Sequence, residues 1–349
     1  MVKVSSYPLI FGPVALSVKS GDWIVNIPSL VYEYYLHSNR VPNEFFGLCR
    51  KLLIQIAHDP SCTLEIHGRL LRLPLSHPLP LYLSRYPFFQ RLLNRLSKYI
   101  HTTYGSLTCI DIGGNIGDSV AAFYQDDSDR FLVIEPNQHF YKYLFANWGN
   151  MENVRIQTYI CASVSEQAIF QIFEKQGSAS IVRTNSGISA AVKSLDDIVT
   201  LNPDFTDFNL LKSHTDGYDF EVIAGAKKVI SSNFPAILCE AEMFMNDRYS
   251  ENFLEMINFL KDVGYNSLLL YNNFGHLMGK YSLSDLKYFA NLLFYQLTSG
   301  SYYFDLLLMK EEDIVPFFEA EQAYFVDKMP DKVLWRTANA SAELCRLLV

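Results

Sequence analysis

The hydrophobic residues of this chain form short continuous runs that alternate with stretches of helical periodicity. Seven runs between residues 101 and 310 are rich in apolar residues, which is typical of strands buried on both faces. They lie at 107–113, 130–136, 154–161, 208–214, 235–242, 266–272 and 302–310. Between them the apolar spacing predicts helices over 117–125, 138–148, 218–231 and 251–263. This alternation favours an α/β domain whose mostly parallel sheet is covered by helices on both faces.

The flanking segments predict two smaller regions around this domain. Residues 1–100 form a smaller α+β region, with two short strands within 63–75 and a helix over 88–100. Basic residues lie opposite the apolar face of that helix, so it either packs on the next domain or rests on a membrane surface. We therefore expect an accessory region over 1–100, a central domain over 101–310 and a helical tail over 311–349.

Composition and charge narrow the classes of function. The 349 residues are 49 % hydrophobic, enough for a large core, and the formal net charge is −8. An acidic chain argues against sequence-independent nucleic-acid binding, which needs a basic surface. None of the six cysteines forms a CxxC pair, so buried free thiols are expected and no zinc site is predicted. Neither a signal peptide nor a membrane-length apolar run is recognised, so a cytoplasmic protein is expected.

A glycine turn joins the first strand of the central domain to a helix, in the segment IDIGGNIGDS. Ligands of parallel sheets bind beyond the carboxyl ends of strands, where glycines let the backbone approach them closely. Counted from Gly113, the third and sixth positions are not glycine, so the dinucleotide motif fails. Asp111 would repel a pyrophosphate and attract a cation, and Glu135 ends the next strand, where an acid accepts ribose hydroxyls. The pair favours a cationic nucleoside without phosphate, and S-adenosylmethionine meets that description.

Four segments together resemble the FkbM-type S-adenosylmethionine-dependent methyltransferases. They are IDIGGNIGDS, VIEPN, SLDDIV and LLKSHTDGYDFEVIAGA. The resemblance covers roughly 60–310. It implies a class I methyltransferase fold with a Rossmann-like seven-stranded sheet, S-adenosylmethionine as the cofactor, and methylation of a hydroxyl on a sugar, glycan or natural product. By resemblance, the residues that contact the methyl donor are Asp111, Gly113, Gly114, Asn115, Gly117, Asp118, Glu135, Pro136, Cys161 and Ala162.

The chain departs from the family pattern after the fourth strand. The family commonly has Lys-Ile-Asp-x-Asp/Glu-Gly where this chain has KSHTDG at 212–217, so His214 replaces an acid that faces the reacting methyl group. The replacement weakens the idea of a carboxylate-bound metal, and none is predicted. A histidine of near-neutral pKa is suited to accept the hydroxyl proton, which makes His214 the first candidate base. Asp216 is the second and Glu240, at the end of the fifth strand, is the third. Lys212 is expected to neutralise charge in the same cleft.

Two other functions stay compatible with the sequence. The replacement at His214 also fits a methyltransferase fold that binds the donor, or a partner protein, without turnover. A nicotinamide-dependent oxidoreductase is disfavoured by the missing dinucleotide motif. Loops at 175–182 and 271–279 are interpreted as lying on the acceptor side. The expected partner is a small-molecule or glycan hydroxyl acceptor, while peripheral membrane contact and homo-oligomerisation stay open.

Overall fold

A computed structural model describes residues 26–38, 40–175, 177–184, 188–243, 248–299 and 303–328. The predicted tail beyond residue 328 and the first 25 residues lie outside these ranges. The first part of the described chain holds four helices and a hairpin: α1 (Ile27–His37), α2 (Arg40–Ile56), β1 (Ser61–Ile66), β2 (Arg69–Pro74), α3 (Leu79–Arg85) and α4 (Arg91–Tyr104). Strands β1 and β2 are antiparallel, as predicted, and they meet at a turn where His67 and Gly68 both have positive φ.

Helix α4 packs against the rest of the protein. Its apolar residues, among them Leu96 and Ile100, are buried in the core. One of its basic residues, Arg95, forms a bidentate ion pair with Glu321 near the C-terminal end of the described chain. Of the two sequence-based alternatives for this helix, packing on the next domain is therefore the one observed. Within the described ranges, no helix is long and apolar enough to cross a bilayer.

The central domain is built on strands that follow one another through helices. Its first half comprises β3 (Thr108–Ile112), α5 (Asp118–Phe123), β4 (Arg130–Ile134), α6 (Gln138–Trp148), β5 (Val154–Gln157), β6 (Ile160–Cys161), β7 (Glu166–Lys175), β8 (Ser178–Arg183), β9 (Ile188–Lys193) and α7 (Leu195–Leu201). Its second half comprises β10 (Leu210–Ser213), α8 (Asp219–Ala224), α9 (Lys227–Asn233), β11 (Ala236–Glu242), α10 (Tyr249–Val263), β12 (Ser267–Asn272), β13 (Leu277–Ser282), α11 (Leu286–Ser299), β14 (Tyr303–Leu308) and α12 (Glu311–Asp327).

Among the described residues, the main sheet has eight strands in the order β13-β12-β14-β11-β10-β3-β4-β5. Strands β5, β4, β3, β10 and β11 are mutually parallel, and β14 runs antiparallel to both of its neighbours. Each of the seven predicted runs contributes one strand to this sheet, and β13 adds an eighth at its edge. The chain moves outward from β3 to β5 and then returns to β10 beside β3, so the order of connection reverses there. The predicted class I methyltransferase arrangement, an α/β fold with a mostly parallel sheet, is confirmed.

The sheet separates two hydrophobic cores because successive side chains of a strand point to opposite faces. On one face, Cys109 and Phe131 pack with α4, α5, α6, α12 and the β1–β2 hairpin. On the other, Ile110 and Leu132 pack with α7, α8 and α10. The N-terminal part thus shares a core with the central domain, and the domain boundaries at residues 100 and 310 stay predictions. Of the six cysteines, the five within the described ranges are free thiols, and four of them are buried.

Three predicted elements differ from the observed ones. The run 154–161 divides into β5 and β6, and β6 belongs to a separate four-stranded sheet in the order β6-β9-β7-β8. The predicted helix 218–231 breaks into α8 and α9 at Gly225, where a Cβ atom would lie only 2.1 Å from the carbonyl oxygen of Ala162. Residues interpreted as an acceptor-side loop, 175–182, contain most of β8 instead.

Candidate functional site

A cavity of about 440 Å³ lies at the carboxyl ends of β3, β4 and β10, where the connection order of the sheet reverses. This volume is in the range of small-molecule and cofactor sites. The N-terminal region contributes His77 and Gln90 to its wall, the four-stranded sheet contributes Gly177, and the β12–β13 turn contributes Gly275. The segments 175–182 and 271–279, which were interpreted from the sequence as acceptor-side loops, therefore both reach the cavity.

The glycine turn after β3 packs too tightly to accommodate side chains. The amides of Gly113 and Gly114 both donate to the carbonyl of Ile134, which ties the end of β3 to the end of β4. Gly113 has a φ of +79°, and a Cβ there would lie 2.0 Å from the carbonyl oxygen of His214. A Cβ on Gly114 would lie 2.1 Å from Val133 Cγ1. The turn therefore brings the backbone to the cavity edge, as expected of a close-approach glycine.

Glu135 follows β4 and presents its carboxylate to the cavity. Its Oε2 accepts the N–H of Asn115 and its Oε1 accepts the N–H of Asn137, each at 2.8 Å. These bonds fix the orientation of the group and leave acceptor capacity on both oxygens. The side chain is only 5 % exposed, and burial raises its pKa to about 7 despite the two amides. A fixed carboxylate with two spare acceptor positions suits a pair of neighbouring hydroxyls.

Asp111 is placed differently from its predicted role. It is fully buried, accepts a hydrogen bond from Ser119 Oγ, and lies behind the cavity wall. The ammonium of Lys212 is 2.8 Å from its Oδ1 and also donates to the carbonyl of Gly113 at 3.2 Å. Burial opposes the charge of Lys212, but Asp111 outweighs that effect and raises the pKa of the lysine. Asp111 therefore holds Lys212 in position, and its charge is neutralised by that lysine.

The ten predicted donor residues, including Glu135 and Asp111, divide into two groups. The structure brings to the cavity Gly113, Asn115, Asp118, Glu135, Pro136 and Cys161. It places outside the cavity lining Asp111, Gly114, Gly117 and Ala162. Gly117 is covered by Trp148, whose indole N–H donates to the Gly117 carbonyl at 3.0 Å. Gly114 and Gly117 thus shape the turn and its packing.

Asn115 connects two walls of the cavity. Its Nδ2 donates to the carbonyl of Gly177 at 2.8 Å, and its Oδ1 lies 3.1 Å from Nε2 of His77. His77 Nδ1 accepts the N–H of Leu79 at 3.3 Å, so Nε2 carries the proton that reaches Asn115. Burial lowers the pKa of His77, which keeps the ring neutral. Sequence reasoning missed His77, because nothing local indicates that its segment folds over the glycine turn.

The predicted acceptor-side residues His214, Asp216 and Lys212 line the end of the cavity next to β10. The backbone N–H of His214 donates to the carbonyl of Ile112, which holds the residue beside the end of β3. Although 41 % of the His214 side chain is exposed, desolvation within the cavity, together with the charge of Lys212, lowers the pKa of His214 to about 4. The imidazole is therefore neutral at neutral pH and can accept a proton.

Glu240 lies directly behind His214, outside the cavity lining. Its Oε2 is 3.3 Å from His214 Nε2, and the side chain is 1 % exposed. Neither carboxylate oxygen accepts a hydrogen bond from the described residues. Burial, and then the charge of Asp219, raise the pKa of Glu240 well above its ordinary value. This carboxyl group is thus buried at a high energetic cost.

Two residues of β14 complete this end of the cavity and were not predicted. Asp305 is the antiparallel partner of Glu240, and Tyr303 lies two residues earlier on the same strand. Burial raises the pKa of Asp305 to about 7. Asp305 is an acid within the apolar run YYFDLLLMK, just as Asp111 is an acid within an apolar strand. This pattern identifies Asp305 in the sequence as a candidate functional residue.

Comparison with known proteins identifies one domain. Residues 111–267 match the model of the methyltransferase FkbM domain, which confirms the family predicted from the sequence. No curated protein matches the sequence significantly.

Similar solved structures include a methyltransferase FkbM from Methylobacillus flagellatus, at 14 % identity over 58 % of this chain and 43 % of that chain, with a TM-score of 0.36. A putative O-methyltransferase from Klebsiella pneumoniae matches at 8 % identity over 62 % of this chain and 79 % of that chain, with a TM-score of 0.34. Fibrillarin from Aeropyrum pernix, solved with natively bound S-adenosyl-L-methionine, matches at 8 % identity over 59 % of this chain and 66 % of that chain, with a TM-score of 0.32. The present chain thus spans less than half of the Methylobacillus flagellatus protein.

Proposed function

We propose that this chain transfers a methyl group to a hydroxyl of a sugar, glycan or natural product. The proposal starts from the match of residues 111–267 to the methyltransferase FkbM domain. S-adenosylmethionine is the cofactor of this methyltransferase. The observation that carries the proposal is the charge of the cavity. Its lining includes the carboxyl groups of Asp118, Glu135, Asp216 and Asp305 and the ammonium of Lys212. A cavity with this excess of acids attracts a cationic ligand and repels phosphates.

The donor end of the cavity fits S-adenosylmethionine. Bound there, the cofactor supplies a methyl carbon activated by a positively charged sulfur. Glu135 is oriented by two backbone amides and can accept both ribose hydroxyls. The turn at Gly113 lets the ligand approach the backbone, and Asn115 holds the surrounding walls together. Asp118, whose carboxylate accepts a hydrogen bond from Gln90 at 2.7 Å, adds negative charge at this end.

The acceptor end suits a polyhydroxylated molecule. The ring of Tyr303 lines it and can pack on the face of a sugar. Asp216 and Asp305 offer carboxyl oxygens for its hydroxyl groups. The imidazole of His214 is neutral at neutral pH and is the group placed to take the proton of the reacting hydroxyl. Catalysis then depends mainly on holding the acceptor oxygen in line with the transferred methyl group.

The test has two stages. Calorimetric titration at pH 8 with S-adenosylmethionine and S-adenosylhomocysteine measures donor binding, and NADH serves as the control ligand. Methyl transfer from labelled donor to a panel of sugars, nucleotide sugars and glycans then measures activity. Binding of the donor with transfer to a hydroxyl supports the proposal. Donor binding without transfer to any acceptor supports the non-catalytic binding module instead. A folded protein that binds neither donor nor its product overturns the proposal.

A further inference from the structure

We propose that His214, Asp216 and Glu240 form a binding site for one divalent transition-metal cation at the acceptor end of the cavity. The role of this cation in methyl transfer rests on the proposed function, whereas its binding does not. The sequence alone predicts no metal site, because the three residues come from different segments and carry no ligand spacing.

The geometry brings three ligand atoms to one point. One ligand atom from each of the three residues lies within 4.8 Å of the other two, and His214 Nε2 and Glu240 Oε2 are 3.3 Å apart. Ligand bonds of about 2.1 Å join atoms that are about 3 to 4 Å apart, so small side-chain rotations complete the triad. His214 and Asp216 follow β10, and Glu240 lies near the end of β11, its parallel neighbour. The pairing of these two strands therefore builds the site.

The state of Glu240 is an independent sign of a cation. Its side chain is 1 % exposed, yet both of its carboxylate oxygens lack a hydrogen bond from the described residues. Asp219 and Asp305 add further negative potential around it. Within the described part of the chain, the ammonium in the cavity lining is that of Lys212, and it is already paired with Asp111 at 2.8 Å. A buried carboxylate in such surroundings is strongly destabilising unless a cation compensates it.

The donor set selects the type of cation. One imidazole nitrogen and two carboxylates suit Mn²⁺, Fe²⁺ or Zn²⁺, whereas Mg²⁺ and Ca²⁺ prefer oxygen ligands throughout. The histidine at position 214 thus shifts the preference toward transition metals. Three protein ligands leave coordination positions open, and His214 and Asp216 line the cavity, so these positions face the acceptor. A hydroxyl oxygen bound there would lose its proton more readily. A His214 nitrogen that binds the cation cannot also take this proton. His214 is therefore a ligand in the metal-loaded protein and the base in the metal-free protein.

A second histidine–carboxylate cluster supplies the control. His101 contacts Asp129 through Nδ1 at 3.0 Å and Asp126 through Nε2 at 3.2 Å, so both ring nitrogens are engaged. Asp129 also accepts the backbone amides of Leu107 and Gln125, each at 2.8 Å. These groups satisfy one another and join α4 to the loop before β4. The His101 cluster therefore contains the same residue types as the proposed metal site, but its potential ligand groups already have partners.

The experiment titrates Mn²⁺ into chelator-treated full-length protein by calorimetry and counts bound Mn²⁺ by electron paramagnetic resonance. Wild type is compared with Glu240→Gln and with Asp126→Asn. We expect one Mn²⁺ per wild-type chain, at least about tenfold weaker binding in Glu240→Gln, and binding within about twofold of wild type in Asp126→Asn. Mg²⁺ should displace Mn²⁺ only in large excess. No Mn²⁺ binding by wild type, unchanged binding in Glu240→Gln, or loss confined to Asp126→Asn overturns the proposal.

Two further measurements keep the result interpretable. Metal-free Glu240→Gln should melt no lower than wild type, because a neutral amide replaces a buried unpaired carboxyl group of the same size. If that variant fails to fold, His214→Gln is expected to show the same loss of Mn²⁺ binding. Titration with S-adenosylhomocysteine on the same samples separates the two proposals. Donor binding without Mn²⁺ binding rejects only the metal site, and Mn²⁺ binding without donor binding rejects only the proposed function.

Discussion

Replacing Glu135 by glutamine tests the donor site most directly. The substitution keeps the size of the side chain and removes its charge. In the native protein each carboxylate oxygen accepts one backbone amide at 2.8 Å, from Asn115 or from Asn137. A glutamine has one acceptor oxygen, so one of these amides would face an NH₂ group. The side chain would also retain an acceptor for only one of two ribose hydroxyls.

The expected magnitude follows from these hydrogen bonds. A bond from a hydroxyl to a charged carboxylate contributes about 1.5–3 kcal/mol, and 1.4 kcal/mol corresponds to about tenfold in affinity. Loss of one such bond predicts S-adenosylhomocysteine binding that is about 10 to 100 times weaker in Glu135→Gln at pH 8. The exposed Glu152 provides the matched control, because Glu152→Gln makes the same substitution outside the cavity lining.

The pH dependence adds a second readout with a defined sign. Since the pKa of Glu135 is about 7, the carboxylate is mostly ionised at pH 8 and mostly protonated at pH 6. A protonated group accepts hydroxyl hydrogen bonds poorly, so wild-type affinity should fall by about tenfold from pH 8 to pH 6. The variant should lose most of this dependence, although Asp305 keeps a pKa of about 7 in the same cavity.

The assay is calorimetric titration of both variants and wild type at pH 6, 7 and 8, with folding checked by circular dichroism. Equal affinity of folded Glu135→Gln and wild type at pH 8 would refute the reasoning. The ribose would then be held elsewhere.

Three further substitutions test other parts of the structure. His214→Ala should reduce methyl transfer by about a hundredfold or more while S-adenosylhomocysteine affinity stays within about twofold, and unchanged turnover would exclude His214 from proton transfer and from any cation-assisted step of the reaction. Gly113→Ala should lower the free energy of unfolding by more than about 2 kcal/mol, because its Cβ would lie 2.0 Å from a carbonyl oxygen. Gly68→Ala is its control, since φ there is +77° with no atom within 4 Å, and equal urea midpoints for the two would contradict the clash. Glu321→Ala should cost about 3 kcal/mol by leaving its partly buried partner Arg95 unpaired, whereas Glu251→Ala, in an exposed pair, should change the urea midpoint little. Comparable losses would show that burial of the pair is unimportant.

The main sheet was predictable because its strands are distinguished locally. Strands buried on both faces are rich in apolar residues, and each of the seven such runs contributes a strand to the observed sheet. The acid at the end of a strand, as in Glu135, is equally a local feature. Elements that carry mixed polar and apolar residues were harder to predict. The strands of the four-stranded sheet and β13 are stabilised by pairing with strands from other parts of the chain. This pairing leaves no periodic pattern of apolar residues in their own sequence.

The α/β class, the family, the cofactor and the glycine turn could be inferred from the amino-acid sequence, because they depend on apolar periodicity and on residues that are neighbours in the chain. How the charged groups combine depends on the three-dimensional fold. It paired Asp111 with Lys212 across β3 and β10, and it placed Asp305 beside Glu240 through the register of β11 and β14. It also brought His77 over the turn that follows β3. These contacts join residues far apart in sequence, and only the folded backbone fixes which carboxylates share a buried space and which of them have a partner.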